Sequence, residues 1–372
     1  MILHWQSILL YCFYTAAAIQ LVFILGIHLR FAFYRKPKST TQRQHAVSVV
    51  ICARDEAQNI TDNLPLLLQQ QYPSTYEVIA VNDNSFDDSK YVLEYLSKAF
   101  RHLRPIELHQ EAPLIQGKKF PLSIGIKEAK YELLLLTDAD CRPASALWIE
   151  HMQNGFREGK EIVLGYGPYE KTPGLLNKLI RFETFHAALQ YFSFALAGIP
   201  YMGVGRNLAY KKEVFLRNKG FSQHNQLPGG DDDLFINRVA GRKNTAIVID
   251  RESFMYSKPK SSWKTWRQQK TRHYSTSRYY KPVHQFLLGT FSLTHFLFYP
   301  LLIFSFFLTQ WWIPVSIYGS RLLLQGLIYF RSMRKLDEQD LFFFYPLLDL
   351  WQWFYYLLFA DTLFRKPQSF WK

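Results

Sequence analysis

Apolar positions are spaced in two different ways along the chain. Long apolar runs occupy both ends, whereas residues 47–256 alternate short apolar runs with segments of helical pattern. The short runs are VSVVICA (47–53), EVIAVND (77–83) and ELLLLTD (132–138), and the intervening helical segments lie near 57–70, 87–100 and 118–128. Continuous β-branched and leucine runs are typical of strands that are buried on both faces. Strands that alternate with helices predict an α/β fold with a mostly parallel sheet and right-handed crossovers.

The N-terminal apolar run predicts a transmembrane anchor over residues 1–34. Residues 7–33 include roughly 20 mostly apolar residues, enough to cross a hydrocarbon core. The basic residues that follow are Arg30, Arg35, Lys36 and Lys38. By the positive-inside rule, the next part of the chain is therefore cytoplasmic. A cleaved signal peptide is disfavoured, because the apolar region is too long and its positive charges follow it. Residues 35–46 form a predicted basic linker.

The C-terminal apolar runs predict a membrane region over residues 286–372. Runs at 286–308 and 311–330 are separated by only two residues, which indicates a transmembrane hairpin. Trp311 and Trp312 lie where an interfacial aromatic belt is expected. The hairpin therefore returns the chain to the cytoplasm.

A third apolar run, 341–363, leaves two topologies open. It contains Asp349, Gln352 and Asp361, and basic residues follow it. A full crossing would bury Asp349 and place the basic tail outside. Either the segment is re-entrant or interfacial, which the charge rule favours, or Asp349 has a functional polar partner.

Composition narrows the function classes. The 372 residues are 48% hydrophobic and 17% aromatic but only 20% charged, which argues against disorder and against an ordinary soluble enzyme. The net charge of +14 suits nucleic acid, nucleotide phosphates or an anionic membrane face. The aromatic residues cluster in membrane-length runs instead of interleaving with basic residues, which disfavours nucleic-acid binding. The three cysteines have no zinc spacing and are too few for a disulfide scaffold.

Acidic residues end two of the predicted strands, at the edge where α/β sheets bind ligands. Asp138 and Asp140, one residue apart, can face a single Mg²⁺ or Mn²⁺ that also bridges substrate phosphates. The alternative is an ordinary turn, where aspartate is common. Asp83, in VNDNS (81–85), is either a hydrogen-bond acceptor for a nucleotide's base or sugar, or a turn residue that caps a helix.

Two further clusters have both a functional and a structural interpretation. Lys118 follows Gly117 before a helical segment, where backbone amides and a lysine suit a phosphate group; a solvated basic turn is the alternative. Asp231, Asp232 and Asp233 open another helix. Helix capping requires only one of these carboxylates. Crowding by like charges raises carboxylate pKa values, which suits a general base.

Residues 259–285 form a predicted interfacial amphipathic segment. Within WKTWRQQKTRHYSTSRYY (263–280), Gln269 and Arg272 are three apart and share one helical face. The planar guanidinium of Arg272 suits a diphosphate, and a basic face that meets lipid headgroups is compatible with the same helix. Residues 174–198 have a similar interfacial pattern.

These clusters, in this order between membrane segments, resemble the polytopic family 2 glycosyltransferases, which include ceramide glucosyltransferases and processive polysaccharide synthases. The resemblance spans nearly the whole chain. It rests on ICARDEAQNI (51–60), VNDNS (81–85), the Asp138/Asp140 pair, YMGVGRNLAY (201–210), GGDDDL (229–234) and a Gln-x-x-Arg element at 269–272. It implies a cytoplasmic GT-A domain over residues 47–258, a nucleotide-diphospho-sugar donor that is usually UDP-linked, and Mg²⁺ or Mn²⁺. It also implies transfer with inversion at the anomeric carbon.

The resemblance assigns four residues to the donor. Asp83 corresponds to the carboxylate that contacts the uridine, and Lys118 to a lysine nearby. Asp138 and Asp140 would hold the diphosphate directly and through the metal.

The resemblance also assigns the groups that complete the reaction. Asp231 matches the general base by its spacing to Leu234, with Asp232 as the alternative. Gln269 and Arg272 would close over the diphosphate leaving group. A base on the acceptor hydroxyl and charge stabilisation on the leaving group are what a single inverting displacement requires.

One position departs from the family, whose final motif usually ends in Trp where this chain has His273. That position belongs to the acceptor side, so the departure concerns acceptor identity or processivity. The membrane portion is small for a polymer-conducting channel. We therefore expect transfer of a single sugar to a lipid or lipid-linked hydroxyl at the cytoplasmic face of the cytoplasmic membrane, past an acceptor path along 174–198. Processive polysaccharide synthesis is the alternative. A transporter subunit or scaffold is disfavoured, because the apolar ends have no repeated halves.

Overall fold

The computed structural model describes residues 2–37, 44–110, 112, 114–157 and 159–363. Residues 38–43 of the predicted linker and residues 364–372 of the predicted C-terminal region lie outside this description. The strands of the described chain are β1 (Val47–Ala53), β2 (Tyr76–Asp83), β3 (Leu103–Leu108), β4 (Leu133–Asp138), β5 (Cys141–Pro143), β6 (Ile162–Leu164), β7 (Leu208–Lys211), β8 (Thr245–Ile247) and β9 (Met255–Ser257).

The described α-helices are α1 (Ile2–Phe23), α2 (Leu29–Ala32), α3 (Ala57–Leu68), α4 (Ser89–Ala99), α5 (Lys119–Glu128), α6 (Trp148–Gln153), α7 (Leu175–Leu196), α8 (Lys212–Arg217), α9 (Asp233–Val239), α10 (Trp263–Tyr274), α11 (Pro282–Leu308), α12 (Trp312–Lys335) and α13 (Tyr345–Phe359). A π-helical turn, Ile24–His28, joins α1 to α2. The three predicted strands and three predicted helices of the central region are confirmed to within a few residues.

Seven strands form one sheet in the order β3-β2-β1-β4-β7-β6-β8. Strands β1, β2, β3 and β4 run parallel. Strand β7 is antiparallel to both β4 and β6, and β8 is parallel to β6. A separate ribbon pairs β5 with β9. The predicted mostly parallel α/β sheet is therefore confirmed, and its antiparallel part is the short stretch that follows β4.

The sheet is covered on both faces, as its apolar strands require. Side chains at alternate positions of β1 enter two separate cores, one beside α3, α4 and α6 and the other beside α5, α7 and α9. The register aligns the strand ends: Cys52 lies opposite Asp138, and Ala53 lies opposite Asn82. The polar residues that end β2 and β4 consequently share one edge of the sheet.

The helices at the two ends of the chain pack against each other. Two helical stretches, Trp5–Ala32 and Pro282–Leu308, are long and apolar enough to cross a membrane. Gln20 Nε2 donates to the Phe291 carbonyl at 3.0 Å and to Thr294 Oγ1 at 2.7 Å, which ties α1 to α11. The predicted anchor and the first C-terminal helix therefore belong to one helical bundle.

Asp349 is enclosed within that bundle. Its carboxylate accepts hydrogen bonds from Arg321 Nη1 at 2.8 Å, Gln325 Nε2 at 2.6 Å and Tyr299 Oη at 2.5 Å, and His295 Nε2 lies at 3.2 Å. The sequence favours a re-entrant or interfacial segment that keeps the basic tail inside. The structure gives Asp349 the polar partners on α11 and α12 that the alternative requires, and the topology of the segment stays a prediction.

Helix α7 differs from its predicted interfacial position, because most of its side chains are buried. Phe192 stacks on Phe31 with ring centroids 5.2 Å apart, so the N-terminal helix covers part of α7. The charged residues that interrupt its apolar pattern have internal partners: Arg181 Nε donates to Glu338 at 2.9 Å, and Glu183 forms an ion pair with Lys270. Compensation of these charges inside the protein allows α7 to pack between the sheet and the bundle.

Candidate active site

The predicted polar clusters converge on the cleft at the carboxyl end of the parallel strands. Burial raises the pKa of the Cys52 thiol at the end of β1. Four charged side chains are near enough to act on that pKa as well, namely Lys118, Asp138, Asp231 and Asp83. These residues come from four separate parts of the sequence, and the structure brings them to one place.

Lys118 joins two of these clusters directly. Its ammonium lies 2.6 Å from Asp138 Oδ1 and 3.2 Å from Asp231 Oδ2. Burial alone would lower the pKa of Lys118, but the carboxylates around it raise that pKa well above its ordinary value. Lys118 therefore stays charged and holds the end of β4 against the loop that carries Asp231.

Asp83 is buried at the end of β2, on the same edge of the sheet. Its Oδ2 lies 3.8 Å from Arg54 Nη1, and its Oδ1 accepts a hydrogen bond from Asn84 at 3.1 Å. The adjoining loops are held together, because Phe86 N donates to Asp55 Oδ1 at 2.8 Å. Arg54 is the cation nearest to Asp83 in these contacts, whereas Lys118 pairs with carboxylates elsewhere in the cleft.

Asp138 and Asp140 form a candidate divalent-metal site. Their carboxylates and the Cys141 thiol each offer a ligand atom, and these atoms lie within 4.8 Å of one another. Burial raises the pKa of Cys141 well above its ordinary value, and its sulfur lies 3.0 Å from Ser257 Oγ. A neutral, hydrogen-bonded thiol is a poor ligand for a hard cation. The two carboxylates therefore fit Mg²⁺ or Mn²⁺, and Cys141 belongs to the protein interior.

The loop before α9 presents its acidic residues to the same cleft. Asp232 caps the helix, because its Oδ1 accepts from the backbone amide of Asp233 at 2.7 Å. Its Oδ2 accepts from the amide of Gly205 at 2.7 Å. Both carboxylate oxygens of Asp232 are thus occupied by backbone donors, while Asp231 reaches the Lys118 ammonium through its side chain.

Electrostatics separates Asp231 from Asp232. Burial would raise the pKa of Asp231, but Lys118 and Lys119 outweigh it and lower that pKa. Burial and the adjacent carboxylates Asp231 and Asp233 raise the pKa of Asp232 to about 7. Neighbouring carboxylates therefore titrate in different pH ranges, as the crowding of like charges predicts.

Asp233 points away from the cleft and fastens the loop to the segment after α10. Its Oδ2 accepts hydrogen bonds from the hydroxyls of Thr276 and, at 2.8 Å, Tyr280. Its Oδ1 accepts from the amide of Leu234 at 2.7 Å. Its carboxylate is thus satisfied, and its contacts assign it a structural role.

Lys119, the residue after Lys118, holds the acidic loop through contacts with its backbone carbonyls. It is fully buried, and its ammonium donates to the carbonyls of Leu227 and, at 2.6 Å, Gly229. Gly117 contributes a close approach, because a Cβ atom at this position would lie 2.3 Å from the Pro228 carbonyl oxygen. The start of α5 and the acidic loop therefore form a single support for the cleft.

The Gln-x-x-Arg element lies on α10. Gln269 Nε2 donates to Tyr169 Oη at 3.2 Å. Arg272 is half-buried and, among the described residues, forms no ion pair with a cleft carboxylate. His273, which stands where the family usually has Trp, directly follows Arg272 on the same helix and is exposed.

Two cleft residues were not singled out by the sequence. Arg206 lies over the ring of Tyr169, with its guanidinium carbon 4.3 Å from the ring centroid. Arg206 is within YMGVGRNLAY (201–210), a segment that the resemblance marks as acceptor-side. Tyr169 has no local signal, since it lies in an irregular stretch between β6 and α7.

Part of the chain is similar to known glycosyltransferases. Residues 48–217 match the family model described as Glycosyl transferase family 2. Glycosyltransferase AglE of Haloferax volcanii is 34% identical over 105 residues, which cover 28% of this chain and 33% of that protein. Beta-monoglucosyldiacylglycerol synthase of Trichormus variabilis is 28% identical over 127 residues, which cover 33% of this chain and 27% of that protein. The aligned part of this chain thus spans a third or less of the length of these relatives.

A solved structure extends the likeness to the fold of nearly the whole chain. Mannosyltransferase PcManGT from Pyrobaculum calidifontis, in complex with GDP-Man and Mn²⁺, superposes with a TM-score of 0.60 at 16% identity. The superposition covers 93% of this chain and 99% of that protein. Together with the sheet order, it shows that the predicted GT-A fold is correct.

Proposed function

Because the chain carries a family 2 glycosyltransferase domain, we propose that it is an inverting glycosyltransferase. It transfers one sugar from a nucleotide-diphospho sugar, UDP-linked in this proposal, to the hydroxyl of a lipid or lipid-linked acceptor. The observation that carries the proposal is the position of Lys118 between Asp138 and Asp231. This contact joins Asp138, one of the two candidate metal ligands, to the candidate base, and this proximity supports a one-step displacement.

The donor's diphosphate is assigned to the carboxyl edge of β4. Asp138 and Asp140 would hold Mg²⁺ or Mn²⁺, which neutralises charge on a departing diphosphate. PcManGT binds GDP-Man and Mn²⁺ on the same fold, which supports a metal-dependent nucleotide sugar as donor. Asp83 at the end of β2 is the proposed contact to the nucleoside, and Lys118 lines the cleft beside the phosphates.

Asp231 is the general base in this proposal. Lys118 and Lys119 keep its carboxylate ionised, so it can accept the proton of the acceptor hydroxyl as that oxygen attacks the anomeric carbon. The bond to the diphosphate oxygen breaks in the same step, and the nucleotide leaves with the bonding electrons. Asp232 positions the loop, because backbone amides already occupy both of its oxygens. Gln269 and Arg272 on α10 are the proposed cover of the leaving group.

A lipid acceptor follows from the membrane bundle. The helices Trp5–Ala32 and Pro282–Leu308 can hold the domain at a bilayer, and basic residues after the first helix favour a cytoplasmic cleft. Beta-monoglucosyldiacylglycerol synthase is named for a glycolipid product, which supports an acceptor of this class. In this arrangement the protein belongs to the cytoplasmic membrane.

Purified full-length protein in detergent tests the proposal. UDP sugars and GDP-mannose are offered with Mn²⁺, Mg²⁺ or EDTA, nucleotide release is measured, and lipid products are identified by mass spectrometry. We expect metal-dependent release that Asp231→Asn reduces by about 100-fold or more, while the surface variant Arg217→Gln keeps full activity. Release that is equal in wild type and Asp231→Asn would refute the base assignment. A ladder of products in place of a single addition would favour processive synthesis.

A further inference from the structure

Arg206 occupies an unusual position between the acceptor-side segment and the metal carboxylates. Its guanidinium carbon lies over the Tyr169 ring, 4.3 Å from the ring centroid. Gly167 leaves space for it, since a Cβ atom at that glycine would lie 3.2 Å from Arg206 Cβ and 3.4 Å from Nε. The ring is fixed in turn, because Gln269 Nε2 donates to Tyr169 Oη at 3.2 Å. The side chain is therefore held in place by packing.

One polar atom of Arg206 and one of Gln269 lack hydrogen-bond partners. Arg206 Nη1 and Gln269 Oε1 are both buried and form no hydrogen bond. Leaving a buried guanidinium donor without an acceptor is costly, and native proteins rarely do so without a ligand or a functional reason. Arg238, which is part-buried like Arg206, donates to the backbone carbonyls of Asn218 and Gly220. The two buried arginines of the described chain pair with carboxylates, Arg181 with Glu338 at 2.5 Å and Arg321 with Asp349 at 2.8 Å. Arg206 is held by an aromatic ring instead.

The position of Arg206 connects it to both halves of the cleft. The preceding residue, Gly205, donates its backbone amide to Asp232 Oδ2 at 2.7 Å. Burial lowers the pKa of Arg206, but the acidic groups around it, Asp138 and Asp140 among them, outweigh burial and raise that pKa. The guanidinium thus lies in the field of the candidate metal site, next to the loop that carries the base.

Charge counting indicates the kind of ligand. A divalent cation on Asp138 and Asp140 would cancel the charge of these two carboxylates and remove their attraction for Arg206. The guanidinium would then be the uncompensated charge, with a buried donor and a planar fork that matches two phosphate oxygens.

We propose that Arg206, resting on Tyr169, is a phosphate-oxyanion subsite of the metal-loaded cleft. The inference rests on the proposed function and deepens it by naming a binding group for one substrate. The oxyanion comes either from the diphosphate of the donor or from a phosphate on the lipid acceptor. Both sources present the same chemistry to the guanidinium.

Two binding measurements on the full chain in detergent distinguish the sources. In the first, UDP and GDP are titrated with Mn²⁺ against wild type, Arg206→Gln and Arg206→Lys. In the second, micelles with phosphatidic acid or diacylglycerol are titrated in the presence of saturating UDP and Mn²⁺. Arg217→Gln, which removes an exposed arginine paired with Glu161, is the matched control.

We expect Arg206→Gln to weaken one of these ligands by about 10-fold or more, with Arg206→Lys intermediate because it keeps the charge but loses the fork. Weaker UDP and GDP binding assigns the subsite to the donor. Weaker binding of phosphatidic acid, with diacylglycerol unchanged, assigns it to the acceptor. Tyr169→Leu, which removes the supporting ring, should reproduce part of the loss.

Unchanged affinity in both titrations for Arg206→Gln, with wild type binding UDP or GDP, would overturn the inference. The proposed function is tested separately, because sugar transfer is not measured in these titrations. A wild-type protein that binds nucleotide through Arg206 but transfers no sugar would contradict the proposed function and leave the subsite in place. Thermal unfolding of each variant identifies a loss of affinity that is due to misfolding.

Discussion

Two clusters of charged and polar side chains in this protein are built on opposite principles. The cleft carboxylates are Asp83, Asp138, Asp140 and Asp231–Asp233, and the bundle cluster consists of His295, Tyr299, Arg321, Gln325 and Asp349. In the bundle, a single carboxylate is surrounded by an arginine, an amide, a phenol and an imidazole. In the cleft, the ammonium of Lys118 is shared by Asp138 and Asp231. Negative charge is thus in excess in the cleft and balanced in the bundle.

This contrast distinguishes a ligand-binding site from a structural network. A buried carboxylate that is fully paired destabilises the folded state strongly only after one of its partners is removed, because an uncompensated buried charge then remains. Carboxylates that repel one another store unfavourable energy, which a bound cation can relieve. The bundle cluster is therefore complete as folded, whereas the cleft is arranged for a ligand. Substitutions that neutralise carboxylates should affect the two clusters in opposite ways.

The largest expected effect is the loss of activity in Asp140→Asn. Removal of one candidate metal ligand should lower sugar transfer by about 100-fold or more. The same change relieves the repulsion between Asp140 and Asp138 and keeps both ion pairs of Lys118, so the melting temperature should stay equal to that of wild type or rise. Transfer assays at saturating Mn²⁺ and thermal unfolding in detergent measure both effects. Asp250→Asn, at a surface ion pair with Lys36, is the control that should alter neither.

The bundle should respond in the opposite direction. Asp349→Leu leaves Arg321 buried without a counter-charge, and the free energy of unfolding should fall by about 3–5 kcal/mol. The double substitution Arg321→Met with Asp349→Leu removes both charges and should recover most of that loss. Thermal unfolding of the three proteins in one detergent measures the difference. A double variant no more stable than Asp349→Leu would show that hydrogen bonds to His295 and Tyr299 matter more than charge balance.

The regular part of the fold could be predicted from sequence because each strand has its own signal. Continuous apolar runs defined β1, β2 and β4, and the acidic ends of β2 and β4 located the ligand edge. Strands β6, β7 and β8 have only three or four residues each, which is too short for a distinct period. Helix α7 was assigned to the interface because its charged residues have partners, Glu338 and Lys270, that are distant in sequence.

The residue types of the candidate site could be predicted from the sequence, but the contacts between those residues could not. The acidic clusters followed from residue type and position at strand ends. That Lys118 bridges Asp138 and Asp231, while Lys119 turns inward to backbone carbonyls, depends on the helix phase at the start of α5. Arg206 shows the same limit, since its contact with Tyr169 joins residues with no local relation.

Asp232 in the cleft should make the free energy of unfolding depend on pH. In an unfolded chain Asp232 titrates near its ordinary pKa of 3.8, whereas the folded protein retains the proton up to about pH 7. The folded state therefore binds more protons between these values, and the free energy of unfolding falls as the pH rises through this range. Between pH 5 and pH 8 the loss should be about 2–3 kcal/mol. Asp232→Asn should flatten this slope in melting curves at pH 5 and pH 8.

Asp250→Asn is again the control, because its surface ion pair lies outside the cleft. It should keep the wild-type slope. A slope that survives in Asp232→Asn would assign the pH dependence to another group and would contradict the raised pKa of Asp232.

The smallest expected effect compares one threonine from each cluster's surroundings. Thr276 donates its hydroxyl to Asp233, and Thr294 accepts from Gln20 at 2.7 Å in the bundle. Each hydroxyl also contacts a carbonyl of its own helical turn, and valine removes these hydrogen bonds at nearly constant volume, so the free energy of unfolding should fall by about 1–2 kcal/mol in both. Only Thr276→Val loosens the loop that carries Asp231, so only this variant should also slow sugar transfer. Equal transfer rates in the two variants would contradict this expectation. They would mean that the Tyr280 hydroxyl and the Leu234 amide are sufficient to hold Asp233, so that the position of Asp231 does not depend on Thr276.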